Sequence, residues 1–469
     1  MRDTNSIIYS TSKNITLIMI IAIVLVAIFL LIWLSILDWK KSIFFVLVFL
    51  ILEGLARKWI LPQASQYIYF IKDIVLIGAY IKYFLIEKNK IKKHVINILI
   101  YPLAIWSFFQ SFNPSLGSSI VGLFGLRGYL LYIPLFWIVT DLFPTKIALY
   151  KFIRNYSLLI IPVCLLAVAQ FFSPPSSPLN FYAPGAGNMG IATFGVGKEA
   201  IVRVTGTFPY ITGFGTYLCT SLTLLIPLLS LRQPLIWYYL TIIELLLVLG
   251  ASFMTGSRGV VLYQGLFLIS YVVMLLLTQY RQAFLNLKKF ILPAIAVTVI
   301  VPRYFSKSID LLSQRAIQNS KEGEGRIFQP FIEPLSTIPE IVQLKQIDSY
   351  GTGATHQATQ VLRTTLNLPQ GDTLPSVGEG ETPRVIVEIG LIGFVLFYLL
   401  RINLIISLGL TLRKLRDPFL SQLGIGAFLF HTLQITSPVV FNPNMGIYYW
   451  FFAGFILLLP KLERQDKLQ

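Results

Sequence analysis

Six side chains in this sequence have the types and neighbours to act on an anionic substrate: Arg203, Arg258, Arg326, Arg384, Glu381 and His356. The sharpest local pattern is Thr255-Gly256-Ser257-Arg258-Gly259, where small residues permit a tight turn and close backbone approach beside an arginine. A second arginine-led segment, Arg203-Val204-Thr205-Gly206-Thr207-Phe208, also precedes an apolar run. A guanidinium grips phosphate oxygens bidentately and keeps its charge where the dielectric is low. A lipid-borne pyrophosphate is the simplest substrate that would need such a set. The structural alternatives are a turn whose arginine snorkels to headgroups for Arg258, and an uninvolved loop arginine for Arg203.

The remaining candidates lie in a polar insert from Tyr304 to Arg384, about 80 residues long between apolar runs. A loop of that length is usually functional or disordered. Gly323-Glu324-Gly325-Arg326 reads as a flexible lead into an arginine-bearing segment. Tyr350-Gly351-Thr352-Gly353-Ala354-Thr355-His356 is a glycine-rich turn whose amides could cradle an anion. Its spacing is not that of a P-loop and no Lys-Ser/Thr pair follows, which argues against a nucleotide. His356 is a candidate general base, against the alternative of a solvated loop histidine. The insert ends in Glu379-Gly380-Glu381-Thr382-Pro383-Arg384. Pro383 suits a first helical turn, and Arg384 and Glu388 are four apart on one face. Glu381 is the other candidate base; its structural alternative is an ion pair at the helix mouth.

These residues must be positioned by membrane helices. Of 469 residues, 55% are hydrophobic and 13% charged, and the mean hydropathy is +0.72, which predicts an all-α polytopic membrane protein. Apolar runs near 15–37, 42–60, 67–86, 95–112, 128–142, 155–172, 208–230, 235–252, 259–279, 285–303, 385–407, 418–436 and 445–460 suggest roughly twelve or thirteen spans. Three regions follow: 1–303 with an outer loop near 173–207, the large loop 304–384, and a helical 385–469. The run from Ile15 to Leu37 is too long for a signal peptide and is expected to be a retained anchor. The run 42–60 ends in Glu53, Arg57 and Lys58 and is either a span or a re-entrant piece, so the side of the N-terminus stays open.

The net charge of +17 would suggest nucleic acid in a soluble protein. Here most lysines fall in short loops and obey the positive-inside rule, so no nucleic-acid partner is expected. Lys88, Lys90, Lys92 and Lys93 crowd one loop; alternation puts Lys146/Lys151/Arg154, Arg232, Arg281/Lys288/Lys289, Arg413/Lys414/Arg416 and the tail from Lys461 on the same, cytoplasmic side. The other side carries Arg127, Arg203, Arg258, Arg315, Arg326, Arg363 and Arg384, against the topology rule. The three histidines show no metal-ligand spacing, and Cys164 and Cys219 sit inside apolar runs, so neither metal nor disulfide is expected.

Taken together, the Arg203–Phe208 segment, the Thr255–Gly259 junction, a large loop before the last spans, and Glu388-Ile389-Gly390-Leu391-Ile392-Gly393 resemble the O-antigen ligase and polymerase superfamily of bacterial envelope enzymes. The likeness covers most of the chain after residue 200. It implies a glycosyltransferase of the C-type membrane fold in the bacterial inner membrane. The donor would be an undecaprenyl-pyrophosphate-linked glycan, with neither nucleotide sugar, metal nor other cofactor. Arg203 and Arg258 would grip the pyrophosphate, Arg326 and Arg384 would contact the acceptor or a second phosphate, and membrane lipid and a chain-length regulator would be partners. Where many members have His-Asn about nine residues before the motif glutamate, this chain has Glu379-Gly380. Glu381 with Arg384 is more similar to a polymerase-like subgroup, which implies polymerase or exopolysaccharide export ahead of ligation to lipid A. The rival class is a glycolipid or anion transporter, which usually shows repeated halves and matched broken helices; no internal repeat is visible. A structural assembly subunit would tolerate loss of the arginines.

Overall fold

The computed structural model describes residues 25–184, 190–194, 201–231, 233–278, 338–341, 343–345, 348–376, 378 and 380–466. Arg326, Arg315, Glu379 and the run 285–303 lie outside the described residues. The chain is an all-α polytopic membrane protein. In order, its helices are α1 (Leu25–Leu37), α2 (Trp39–Leu55), α3 (Ser65–Tyr80), α4 (Asn97–Gln110), α5 (Ser119–Leu130), α6 (Leu135–Leu142), α7 (Lys146–Ser157), α8 (Ile160–Phe171), α9 (Ile211–Ser230), α10 (Leu235–Met254), α11 (Arg258–Thr278), α12 (Thr359–Leu366), α13 (Glu381–Leu412), α14 (Pro418–Leu433), α15 (Pro443–Ala453) and α16 (Phe455–Asp466). The described strands, Thr193–Phe194 and Ile201–Val202, pair antiparallel in the loop before α9.

Helix starts follow local chemistry. The Asp38 carboxylate accepts the Lys40 and Lys41 amides ahead of α2, and Asp417 does the same for Phe419 and Leu420 ahead of α14, with Pro418 as the first helical residue. Asn442 and Pro443 repeat the device at α15. Each cap satisfies amides that a helix in hydrocarbon cannot leave to water.

Among the described residues six helices are long and apolar enough to cross a bilayer, or seven if the α5–α6 pair, bent by 43°, is one span. That is fewer than the twelve or thirteen apolar runs. Helices α1, α4 and α14 are shorter, and α2 and α3 carry Glu53, Lys72 and Asp73 and run into wide π turns at Ala56–Ile60 and Ile81–Ile86. The run 42–60 nevertheless crosses from one end of the bundle to the other. Trp39 at its start bonds Glu87 after α3, and Arg57 at its end bonds Ser65 at the start of α3. Down α11, Leu262, Leu266, Ile269, Val273 and Leu277 stay exposed at helical spacing, a stripe suited to lipid.

The bundle has two polar ends. At one, Lys92, Lys146, Asp141, Asp417, Lys461 and Asp466 meet, bringing together loops that the charge alternation assigned to a single side. The other end holds the arginine-led segments.

Candidate functional site

The Arg203 segment docks on the Thr255 junction. Arg203 Nε donates to the Thr255 carbonyl at 3.0 Å, and the Val204 amide donates to the Met254 carbonyl at 3.3 Å. Arg258, which opens α11, is two residues past Gly256, whose φ of +61° is the turn that glycine permits. Behind the segment, Gln170 Oε1 accepts from the Thr205 and Gly206 amides at 3.2 and 2.8 Å. Lys58 is buried and donates to Thr205 Oγ1 at 3.0 Å and to the Gly206 carbonyl at 2.7 Å. No carboxylate neutralises it among the described residues; Trp59 offers its ring face 4.3 Å away.

From Lys58 the cations continue around one tyrosine. Arg57, Lys72 and Arg127 lie 5.3, 4.3 and 4.9 Å from the Tyr69 ring centroid. Their carboxylates are shared: Glu53 takes Arg57 at 2.8 Å and Lys72 at 2.6 Å, while Asp73 takes Arg127 at 2.6 Å and the Tyr132 hydroxyl at 2.8 Å. The Tyr69 hydroxyl accepts from Arg127 at 2.8 Å, and the buried Nε of Arg127 has no hydrogen-bond partner among the described residues.

An arc of alternating rings and cations follows. Arg127 stands 4.9 Å over Phe124, which meets His356 edge-on at 4.8 Å. His356 lies 6.4 Å from Phe441, and Arg384 stacks on that same ring at 5.3 Å. Burial, aided by the Arg127 and Arg384 charges, holds the imidazole down to about 3, so it is neutral at physiological pH. His356 Nδ1 accepts the Ala358 amide at 3.1 Å, which leaves the ring proton on Nε2. The ring therefore offers a hydrogen-bond donor at Nε2 rather than a basic atom.

Glu381 is engaged elsewhere. It is 2% exposed, bonds Arg401 at 2.7 Å through Oε1 and accepts the Val440 amide at 3.0 Å through Oε2. Arg401 also donates to the Gln434 and Ser437 carbonyls. In this structure the two base candidates stand apart: Glu381 pins α13 to the loop before α15, and His356 presents a donor at Nε2. Glu388 is fully buried and accepts from the Thr355 amide and hydroxyl at 2.9 and 2.8 Å and from the Tyr129 hydroxyl at 3.1 Å. It ties the loop bearing His356 to α13.

Two residues later α13 breaks at Gly390 (φ 65°, ψ −175°), a conformation open essentially to glycine. The carbonyls freed there are all taken: Val387 by the Tyr350 amide at 2.9 Å, Glu388 by Ser349 Oγ at 2.9 Å, and Ile389 by Trp106 Nε1 at 2.7 Å.

The structure brings Arg203 against the Arg258 turn, and puts Arg384 beside His356. Arg363 serves as a loop clamp, donating to the Leu116 and Pro369 carbonyls. Lys58, Lys72, Arg127 and Tyr69 join the site without having been singled out as site residues. Their signal was present, since ionisable groups inside apolar runs are functional candidates by default. Among the described residues no three His, Cys, Asp or Glu side chains gather as a metal site. No family model matches the chain, and no curated protein matches it.

Proposed function

We propose that this chain is an inner-membrane glycosyltransferase acting on a polyprenyl-pyrophosphate-linked oligosaccharide, with the cation-rich end facing away from the cytoplasm. The observation that carries this is the docking of the Arg203 segment on the Thr255–Gly259 turn, 3.0 Å from Arg203 Nε to the Thr255 carbonyl. It puts two arginine-led segments from different parts of the chain at one end, beside Lys58, which has no carboxylate partner among the described residues.

In chemical terms an acceptor-sugar hydroxyl attacks C1 of the donor sugar, the new C–O bond forms, and the bond from C1 to the lipid pyrophosphate breaks. The leaving group takes the bonding electron pair. Arg203 and Arg258, with Lys58 behind them, offset its charge by preorganised electrostatics. Glu381 is paired with Arg401 and His356 donates at Nε2, so the hydroxyl proton passes to an oxygen of the departing pyrophosphate. Alignment supplies the rest. Polymerisation is the favoured outcome, with transfer to a lipid acceptor as the alternative.

A transporter reading gains one observation, the break in α13, because broken helices mark transporter sites. In transporters the freed carbonyls face the ion or substrate. Here Tyr350, Ser349 and Trp106 take all three, which favours a break that docks a loop.

Incubating purified protein with a lipid-pyrophosphate oligosaccharide tests the proposal. Lengthened glycan and released lipid pyrophosphate are expected, and Arg258→Ala should abolish both while still inserting in the membrane. Unchanged substrate with folded wild-type protein, or full activity in Arg258→Ala, would overturn it.

A further inference from the structure

The arc from Arg127 through Phe124, His356 and Phe441 to Arg384 is separate from the Arg203 segment. Arg384 is half-buried and fixed by stacking on Phe441, yet it makes no hydrogen bond or ion pair among the described residues. Among the described residues, the carboxylates of the surrounding helices are engaged elsewhere: Asp73 by Arg127 and Tyr132, Glu388 by Thr355 and Tyr129, Glu381 by Arg401 and Val440. His356 adds an Nε2–H donor, and Arg127 adds a buried Nε without a partner among the described residues. Among the described residues nothing supplies the negative complement of this arc, and a ligand would.

The two phenylalanines restrict what that ligand is. Flat apolar rings flanking charged donors suit a pyranose, whose C–H face packs on an aromatic ring while a polar substituent meets the cation. A planar guanidinium beside a single N–H matches a carboxylate better than an isolated lysine would. We propose that Phe124, His356, Phe441 and Arg384 form a subsite for an acidic sugar, a hexuronic acid residue of the glycan. The proposal rests on the glycosyl-transfer reading and names part of its substrate.

The test is a binding titration of the full chain in phosphatidylcholine nanodiscs. The probes are a glucuronate-containing tetrasaccharide and its carboxyl-reduced, neutral counterpart. Wild-type protein is expected to prefer the acidic form about tenfold, which corresponds to about 1.4 kcal/mol. Arg384→Gln should erase that preference, bringing the acidic and neutral forms to equal affinity. Arg384→Lys should keep part of it and report that the fold survives. Equal binding of the two sugars by wild type, or a preference that survives Arg384→Gln, would overturn the proposal. Displacement of the tetrasaccharide by inorganic phosphate at equal charge would do the same and reassign the subsite to phosphate. The readout is binding, so a chain that passes it but transfers nothing sinks only the catalytic reading. A transferase indifferent to carboxyl reduction sinks only this subsite.

Discussion

The two ends of the bundle are both rich in cations, and they treat them differently. At the end gathered by Lys92, Lys146 and Lys461, each lysine finds an aspartate at 2.6–2.9 Å, and the partners are substantially exposed to solvent. Such pairs contribute little and are screened by salt. At the opposite end Glu53, Arg57 and Lys72 are at most 9% exposed, Lys58 has no carboxylate among the described residues, and Arg384 rests on a ring. Burying a charge is costly, and the cost is tolerated here without full compensation. Exposed cations with partners answer the demands of topology; Lys58 and Arg384, short of carboxylates among the described residues, are what our proposal of an anionic ligand accounts for.

That contrast is sharpest in stability. Glu53→Leu strands Arg57 and Lys72 in a buried site and should cost about 3–5 kcal/mol in detergent unfolding. A loss under about 1 kcal/mol would mean that the pairs are solvated, like those at the other end. Gly390→Ala should come next, about 1–3 kcal/mol, because φ of 65° with ψ of −175° strains any side chain. It should also loosen protease protection of the loop at 348–358, where Ser349 and Tyr350 bond the broken turn. Lost stability with an unchanged cleavage pattern would separate the break from the loop.

A smaller effect concerns His356. Its folded-state value of about 3 lies below the ordinary 6.5, so the neutral form stabilises the fold above pH 6.5. As pH falls from 6.5 towards 3 the unfolded chain takes the proton first, and that contribution is lost. His356→Gln should therefore flatten the decline of melting temperature over this window; parallel wild-type and variant curves would place the ring in water. Smallest of all, Lys146→Ala breaks partly exposed pairs to Asp417 and Asp466 and should shift unfolding by about 0–1 kcal/mol.

Much of the class was legible from apolar runs and loop lysines, because bilayer thickness and charge bias leave long-range patterns. The pairing of the Arg203 segment with the Thr255 turn followed the order of small residues and arginines. What stayed hidden depended on partners distant in sequence. Glu381 and Arg384 are three residues apart, and nothing local says that the first bonds Arg401 while the second faces Phe441. Nor does any motif announce that Arg57, Lys72 and Arg127, from three helices, surround Tyr69. Hydropathy shows apolar runs but not the π turns at Ala56–Ile60 and Ile81–Ile86, nor the bend between α5 and α6, so the long apolar helices among the described residues are fewer than the runs. Gly390 was visible only as part of a short motif, since a glycine in a helical run does not reveal a positive φ.

The most direct measurement is the affinity of the purified protein for polyprenyl pyrophosphate, compared between Arg203→Gln at one end and Lys146→Gln at the other. A loss of at least about tenfold is expected for Arg203→Gln, as for a charge-assisted contact of about 1.4 kcal/mol or more, with Lys146→Gln unchanged. Equal affinities for both variants and the wild type would contradict the assignment of the Arg203 end to a diphosphate.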